Sequence, residues 1–354
     1  MSRRVLITGG AGFIGSSLSL TLAERHPDWT IIAADNLLRR GSELNLPRLQ
    51  AAGVIFAHAD VRHFEDLERI GDIDALVECS AEPSVMAAVQ GAADYVVQTN
   101  LMGAYRCLEI AARYHAQLIF LSTSRVYPVA ALEAMAFTEE ETRYELTDSD
   151  GVGEDFPLAG FRTLYGATKL AAELLVAEYA QTHDIATTIN RCGVVAGPWQ
   201  MGKVDQGVFT HWLLSHHLGR DLKYIGYGGT GKQVRDLLHV ADLVDLVERQ
   251  LLDPDHWAGT TFNVGGGRAG SLSLLETTAL CRQITGKTVQ VESSGQTRPG
   301  DVRIYLSECA ALYAHTDWRP AHGPEQVLQD TWAWIAENEA LVLGALGQTT
   351  SRES

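Results

Sequence analysis

Short apolar runs alternate with longer helix-patterned stretches along this chain. Val5-Leu6-Ile7 reads as a buried strand, leads into Thr8-Gly-Gly-Ala-Gly-Phe-Ile-Gly15, and gives way to a helical pattern from Ser16 to Glu24. Thr30 to Asp35, Val54 to His58, Ala75 to Cys79, Leu118 to Tyr127 and Thr187 to Arg191 read as further strands. Helical patterns run from Asn100 to His115, onward from Tyr165 and from Val208, and from Pro324 to about Glu339. The Tyr165 segment carries Leu170, Ala171, Leu174 and Ala177 as its apolar stripe. This alternation predicts a parallel sheet with helices on both faces, whose ligands lie at the carboxyl ends of the strands.

The glycine turn sharpens that picture. Gly9, Gly12 and Gly15 allow a tight turn, close approach of backbone to a pyrophosphate, and tight packing of helix on strand. Phe13 and Ile14 lie within this turn as further candidate cofactor contacts, and the phosphates fall on the amino terminus of the helix that follows. Asp35 ends the second strand twenty residues after Gly15. A carboxylate there accepts from the adenosine ribose hydroxyls and repels a 2′-phosphate, so NAD is favoured, while Arg39 and Arg40 keep NADP open. Asn36 adjoins it. Asp60 and Val61 suit the edge and face of the adenine, and Ser80 and Ala81 let backbone pass close to the cofactor. Asn100 has two readings of equal weight, a helix cap or a residue that orders the loop after the fourth strand. The predicted fold is α/β, a Rossmann-type doubly wound parallel sheet with a smaller carboxyl-terminal α/β substrate domain.

Composition narrows the partners. The 354 residues are 46% hydrophobic and 20% charged, with a net charge of −16. Nucleic acid and anionic membrane would be repelled over most approaches, so an anionic ligand needs a local basic site. The five cysteines (Cys79, Cys107, Cys192, Cys281, Cys309) show no metal spacing. No metal is expected. Lone thiols and the lack of a signal-peptide or membrane-span pattern predict a cytoplasmic protein.

Tyr165-Gly-Ala-Thr-Lys169 carries the chemistry. Tyrosine and lysine four apart on a helix lie one above the other. A phenol that acts as base near neutral pH needs a downward shift of about 3 units, or ~4 kcal/mol. An ammonium ~5 Å away supplies ~3 kcal/mol of that at an effective dielectric of ~20. Ser122, Thr123 and Ser124 end the fifth strand at the same sheet edge. Later in the chain, Gly228-Gly-Thr-Gly-Lys-Gln-Val-Arg-Asp236 puts three glycines and two basic side chains into a short loop suited to a diphosphate, with Arg235 able to grip it bidentately.

The order of these parts resembles the extended short-chain dehydrogenase/reductase family of NAD-dependent epimerases and dehydratases. The resemblance implies that Thr123, four residues before the tyrosine of Val126-Tyr127, hydrogen-bonds the sugar oxygen being oxidised, with Ser124 or Ser122 as the runner-up. It implies Tyr165 as the base and Lys169 as holder of the nicotinamide ribose. Cys192 falls beside the nicotinamide. The family's 4,6-dehydratases have Asp-Glu after that threonine; here stand Ser124 and Arg125, which speaks against a dehydratase. Arg298 is the implied contact to the nucleotide ribose or diphosphate, and Asp301 an orienting carboxylate. Glu82, Ser124, Arg125, Asp205, Gln206, Gln233 and Arg235 complete the candidate substrate-binding residues.

Glu139-Glu-Glu-Thr-Arg-Tyr144, Asp205-Gln-Gly207, Gly231-Lys-Gln-Val-Arg-Asp236 and Ser271-Leu-Ser-Leu-Leu-Glu276 together resemble the CDP-paratose 2-epimerase (CDP-tyvelose epimerase) branch. That implies an isomerase acting on a nucleotide-diphosphate sugar, with a CDP-sugar favoured. Glu78-Cys79 departs from the family's usual His-Leu, Leu164 from a common proline, and Cys192-Gly193 from bulkier polar residues. A 4-epimerase, a net dehydrogenase and a non-catalytic NAD sensor are the alternatives. The implied organisation is a cofactor domain over 1–190 whose sheet is completed from beyond 220, a sugar-binding region over 191–345, and a disordered tail over 346–354. Helices around Ala104–Arg113 and Lys169–Ala180 are where relatives form homodimers.

Overall fold

The computed structural model describes residues 2–84, 87, 91–201 and 207–346. Of the tail expected over 346–354, only Leu346 is among them. Seven parallel strands form the central sheet: β1 (Arg4–Thr8), β2 (Thr30–Asp35), β3 (Ile55–His58), β4 (Ala75–Glu78), β5 (Gln117–Thr123), β6 (Thr187–Cys192) and β7 (Thr260–Val264), in the order β7-β6-β5-β4-β1-β2-β3. The strand order reverses at β1, beside β4, and opens a crevice at their carboxyl ends.

Strand periodicity builds both cores. Leu6, Ile32, Leu76, Leu118, Phe120 and Ile189 point to one face, where α2 (Gly103–Tyr114) and α3 (Leu164–His183) cover them with Leu108, Ala111, Ala172 and Val176. Val5, Ile7, Ile31, Val77 and Ile119 point to the other, beneath Leu18 and Leu22 of α1 (Phe13–Arg25) and Leu243 and Val247 of the helix Val240–Leu252. Both faces are covered, which explains why β4 and β5 are buried at every position. A third core joins the helices Val208–Leu218, Leu274–Thr285 and Pro324–Glu337 to shorter strands beyond β6.

Several boundaries differ from the sequence reading for local reasons. Helix α1 starts at Phe13, immediately after Gly12 as its cap. The fifth strand stops at Thr123, because its hydroxyl accepts from the Arg125 amide at 3.2 Å and turns Ser124–Val126 into a 3-10 turn. Arg235 lies on a strand, Val234–His239, rather than in the preceding loop. The apolar stripe assigned to α3 is corrected most. Lys169, Ala172, Glu173 and Val176 face inward, whereas Leu174 is 68% exposed and Ala177 is exposed too. No described helix is long and apolar enough to cross a membrane.

Candidate active site

The glycine turn is shaped by contacts a side chain would fill. Gly9 has φ of 62°, and a Cβ there would lie 3.0 Å from the Cys79 carbonyl. A Cβ on Gly15 would collide with the Gly9 carbonyl. No side chain caps the amino terminus of α1, which leaves its first-turn amides at Phe13, Ile14 and Gly15 directed at the crevice. Asp35 receives the Ala11 amide at 3.1 Å and the Leu37 amide at 2.8 Å, one on each oxygen, with further lone pairs on both. Burial raises its pKa against those bonds. Open amides, a cradle that tolerates no Cβ and a carboxylate at the end of β2 fit a dinucleotide.

The next shell is ordered by side chains. Asn36 donates to Asp60 at 3.0 Å, and Arg62 clamps the same carboxylate at 2.6 Å. Burial acts to raise the Asp60 pKa, but those bonds hold it well below the usual carboxylate range. Val61 is buried against Gly103, where a Cβ would touch it. Asn100 resolves its two readings. It lies inside a π-helical turn, Gln98–Met102, and pins the loop after β4 through both Glu82 backbone groups at 2.8 and 3.1 Å. Those bonds hold Glu82, and with it Ser80 and Ala81, just past the carboxyl end of β4.

The reactive hydroxyls converge at the ends of β5 and β6. Thr123 pairs in register with Cys192, and its hydroxyl is near enough to the Tyr165 phenol to act on its pKa. Thr163 caps α3 by accepting from the Gly166 amide at 3.4 Å. A Cβ on Gly166 would collide with the Arg125 carbonyl, so a glycine after Tyr165 lets α3 press its first turn against the Ser124–Val126 turn. Burial pushes the phenol up to about 12; Thr123 and Arg125 oppose this, while Cys192 and Glu78 add to it. The Cys192 thiol is likewise pushed up to about 12 by burial and stays protonated.

Two expected residues turn elsewhere. Ser122 donates to Glu173 at 2.5 Å, inside a buried network, rather than toward the crevice. Lys169 is 1% exposed; its Nζ donates to Glu78 Oε2 at 3.3 Å and sits 3.8 Å from the centre of the Phe120 ring. The ammonium taken from sequence as unopposed is therefore paired with a carboxylate.

Beyond the end of β5, Ser124, Arg125, Thr163, Arg235 and Gly300 line one cleft. Arg125 donates to the Gly300 carbonyl at 3.0 Å, and Arg235 is held by Asp301 at 2.9 Å. Arg298 lies in the same segment, its carbonyl accepting the Asp301 amide at 3.1 Å. Lys232, the other basic group of the glycine-rich loop, is taken up by Glu139 at 2.9 Å instead. Gln233 donates to the Ile225 carbonyl at 2.7 Å, while its buried Oε1 lacks a partner among the described residues. Asp205 and Gln206 lie outside the described residues. Among the described residues, no cluster of His, Cys, Asp and Glu is placed to hold a metal.

Sequence reasoning missed the pairing of Glu78 with Lys169 and the buried Glu173–Arg191 pair. Their signal was faint: a carboxylate closing an otherwise apolar strand, and an arginine inside another.

Residues 5–265 match the family model for the NAD dependent epimerase/dehydratase family. The chain is 28% identical over 343 residues to a CDP-paratose 2-epimerase of Salmonella typhi, covering 94% of this chain and 99% of that one. Among solved structures, the UDP-glucose 4-epimerase of Thermus thermophilus in complex with NAD is 26% identical, with a TM-score of 0.76 and coverage of 94% and 99%. The dTDP-glucose 4,6-dehydratase of Bacillus anthracis, also with NAD, is 25% identical, with a TM-score of 0.77 and coverage of 95% and 97%.

Proposed function

Because the chain belongs to the NAD-dependent epimerase/dehydratase family, we propose that it is a nucleotide-sugar epimerase working by transient oxidation, of the CDP-paratose 2-epimerase type. NAD is its cofactor. Residues 1–190 hold the cofactor and 191–345 the nucleotide sugar. The observation that carries the reading is the Thr123–Tyr165 hydroxyl pair beside the glycine cradle, followed by Ser124 and Arg125 instead of two carboxyl groups.

Thr123 holds the sugar oxygen, and Tyr165 as phenolate removes its proton. NAD, which the Gly9–Gly15 turn and Asp35 would hold, would supply a reversible hydride acceptor for the same carbon and a positive charge that favours the phenolate. Lys169 holds the nicotinamide ribose. After the keto-sugar has turned its other face, Tyr165 gives the proton back, and the centre is inverted with no net redox change. Water elimination needs a positioned acid and base after Thr123. Arg125 keeps its proton at neutral pH and serves neither role. Arg235 and Arg298 suit the diphosphate. The resemblance to the 2-epimerase branch favours C2 of a CDP-linked dideoxyhexose.

To test this, the protein is heat-denatured and its released small molecules are identified by mass spectrometry, and the native protein is offered CDP-, UDP- and GDP-sugars. Released NAD with inversion at C2 of a CDP-sugar supports the reading. Inversion at C4 moves it to the 4-epimerases, and steady NADH with a keto product moves it to the dehydrogenases.

We also assign a homodimer to α2 and α3, supported by the exposed Leu174 and Ala177. Leu174→Glu should then halve the mass measured by light scattering. An unchanged mass removes α3 from the contact.

A further inference from the structure

Glu78 closes β4, where it pairs in register with Thr8 on one side and Phe120 on the other. Its side chain lies on the α2 and α3 face of the sheet, and it is 1% exposed, as is Lys169. The ammonium is held between the Glu78 carboxylate at 3.3 Å and the Phe120 ring at 3.8 Å. That is an enclosed seat for the lysine of the reactive pair, made by a residue 91 positions away.

We propose that Glu78 is a positioning residue for Lys169, which fixes its ammonium beside the cofactor ribose and offsets its charge next to the Tyr165 phenol. The inference rests on the epimerase reading for the role of Tyr165. Whether the shared proton sits on nitrogen or oxygen, the pair carries no net charge as a unit. A neutral unit cannot stabilise a nearby phenolate as a lone ammonium does.

Among the described residues, Lys169 is the one charged group acting on Glu78, beside the Ser80 amide. Helix α3 presents Lys169 and Tyr165, α2 presents Cys107, β4 itself continues into Cys79, and β6 ends in Cys192 near Lys169 and Tyr165. Thr8 and Phe120 on the flanking strands carry no charge. Burial pushes Cys79 and Cys107 well above the usual thiol range and Cys192 up to about 12, so none is a thiolate. Arg125, which lines the cleft, acts on Tyr165 as well.

Glu78→Gln keeps the shape and a hydrogen-bond acceptor but leaves Lys169 as an unopposed cation. The sign follows: removing the offsetting charge favours the phenolate, and the Tyr165 pKa falls. Its titration is read in the NAD-bound protein as the near-ultraviolet phenolate signal of each protein minus that of its Tyr165→Phe counterpart. The expected result is a Glu78→Gln curve displaced at least about one pH unit below that of the native protein. Glu78→His, neutral at alkaline pH, should displace it in the same direction. Coincident curves would overturn the proposal. So would failure of both variants to fold, because the carboxylate would then be structural. The titration uses no sugar, so it can fail while inversion is observed; a lack of inversion would remove the epimerase reading without moving the curves.

Discussion

Replacing Tyr165 by phenylalanine should lower kcat about a thousand-fold while the protein keeps its NAD. In the proposed mechanism the phenol is the group that meets the sugar proton, and the neighbouring Thr123 hydroxyl has no basic lone pair of comparable strength. The substitution removes one oxygen and leaves the ring in its burial site, so the fold and the glycine cradle are unaffected. Turnover is measured by inversion of the nucleotide sugar, and NAD content by release on denaturation. A variant that retained a tenth of native kcat would take the proton transfer away from Tyr165. Loss of NAD together with activity would mean that the tyrosine serves the cofactor rather than the reaction.

Arg191→Ala should produce the largest loss of stability, about 3–5 kcal/mol. Arg191 holds Glu173 through Nη2 at 2.8 Å and Nε at 3.1 Å, and reaches the Tyr127 hydroxyl at 3.1 Å. Glu173 is 4% exposed, and Tyr127 passes the network on to Asn263 at 2.8 Å. Removing the guanidinium strands a buried carboxylate, whose desolvation is no longer compensated. The loss is read from the midpoint of denaturant unfolding at unchanged slope. Pairing Arg191→Met with Glu173→Leu should recover most of it, since apolar groups of similar volume can replace a buried ion pair. A single variant within about 1 kcal/mol of native would show that water, not Arg191, satisfies Glu173.

Features encoded over a few neighbouring residues could be read from the chain. The strand-turn-helix around Gly9 to Gly15, Asp35 at the end of β2, and Tyr165 over Lys169 each depend on local spacing alone. What sequence could not give were pairings between distant segments. On α3 the apolar stripe suggested an inward face with Leu174, but Lys169 and Glu173 turn inward because Glu78 and Arg191 wait there. A hydrophobic pattern counts a buried ion pair as surface, so the helix was rotated in the reading. By sequence, Lys232 and Arg235 both count as basic groups of one loop, with Arg235 as the diphosphate grip. Glu139 on a hairpin strand claims the first, and Asp301 orients the second into the cleft. Asn100 was undecidable until the loop after β4 folded back upon it.

The central claim is that a sugar carbon is oxidised and reduced again by the same hydride. Incubating the NAD-bound protein with a CDP-linked dideoxyhexose in deuterium oxide, and following C2 by proton NMR, tests it most directly. The account predicts inversion at C2 with the original hydrogen retained on that carbon, because the hydride never exchanges with solvent. Deuterium appearing at the inverted carbon, or steady NADH and a keto-sugar without inversion, would contradict it.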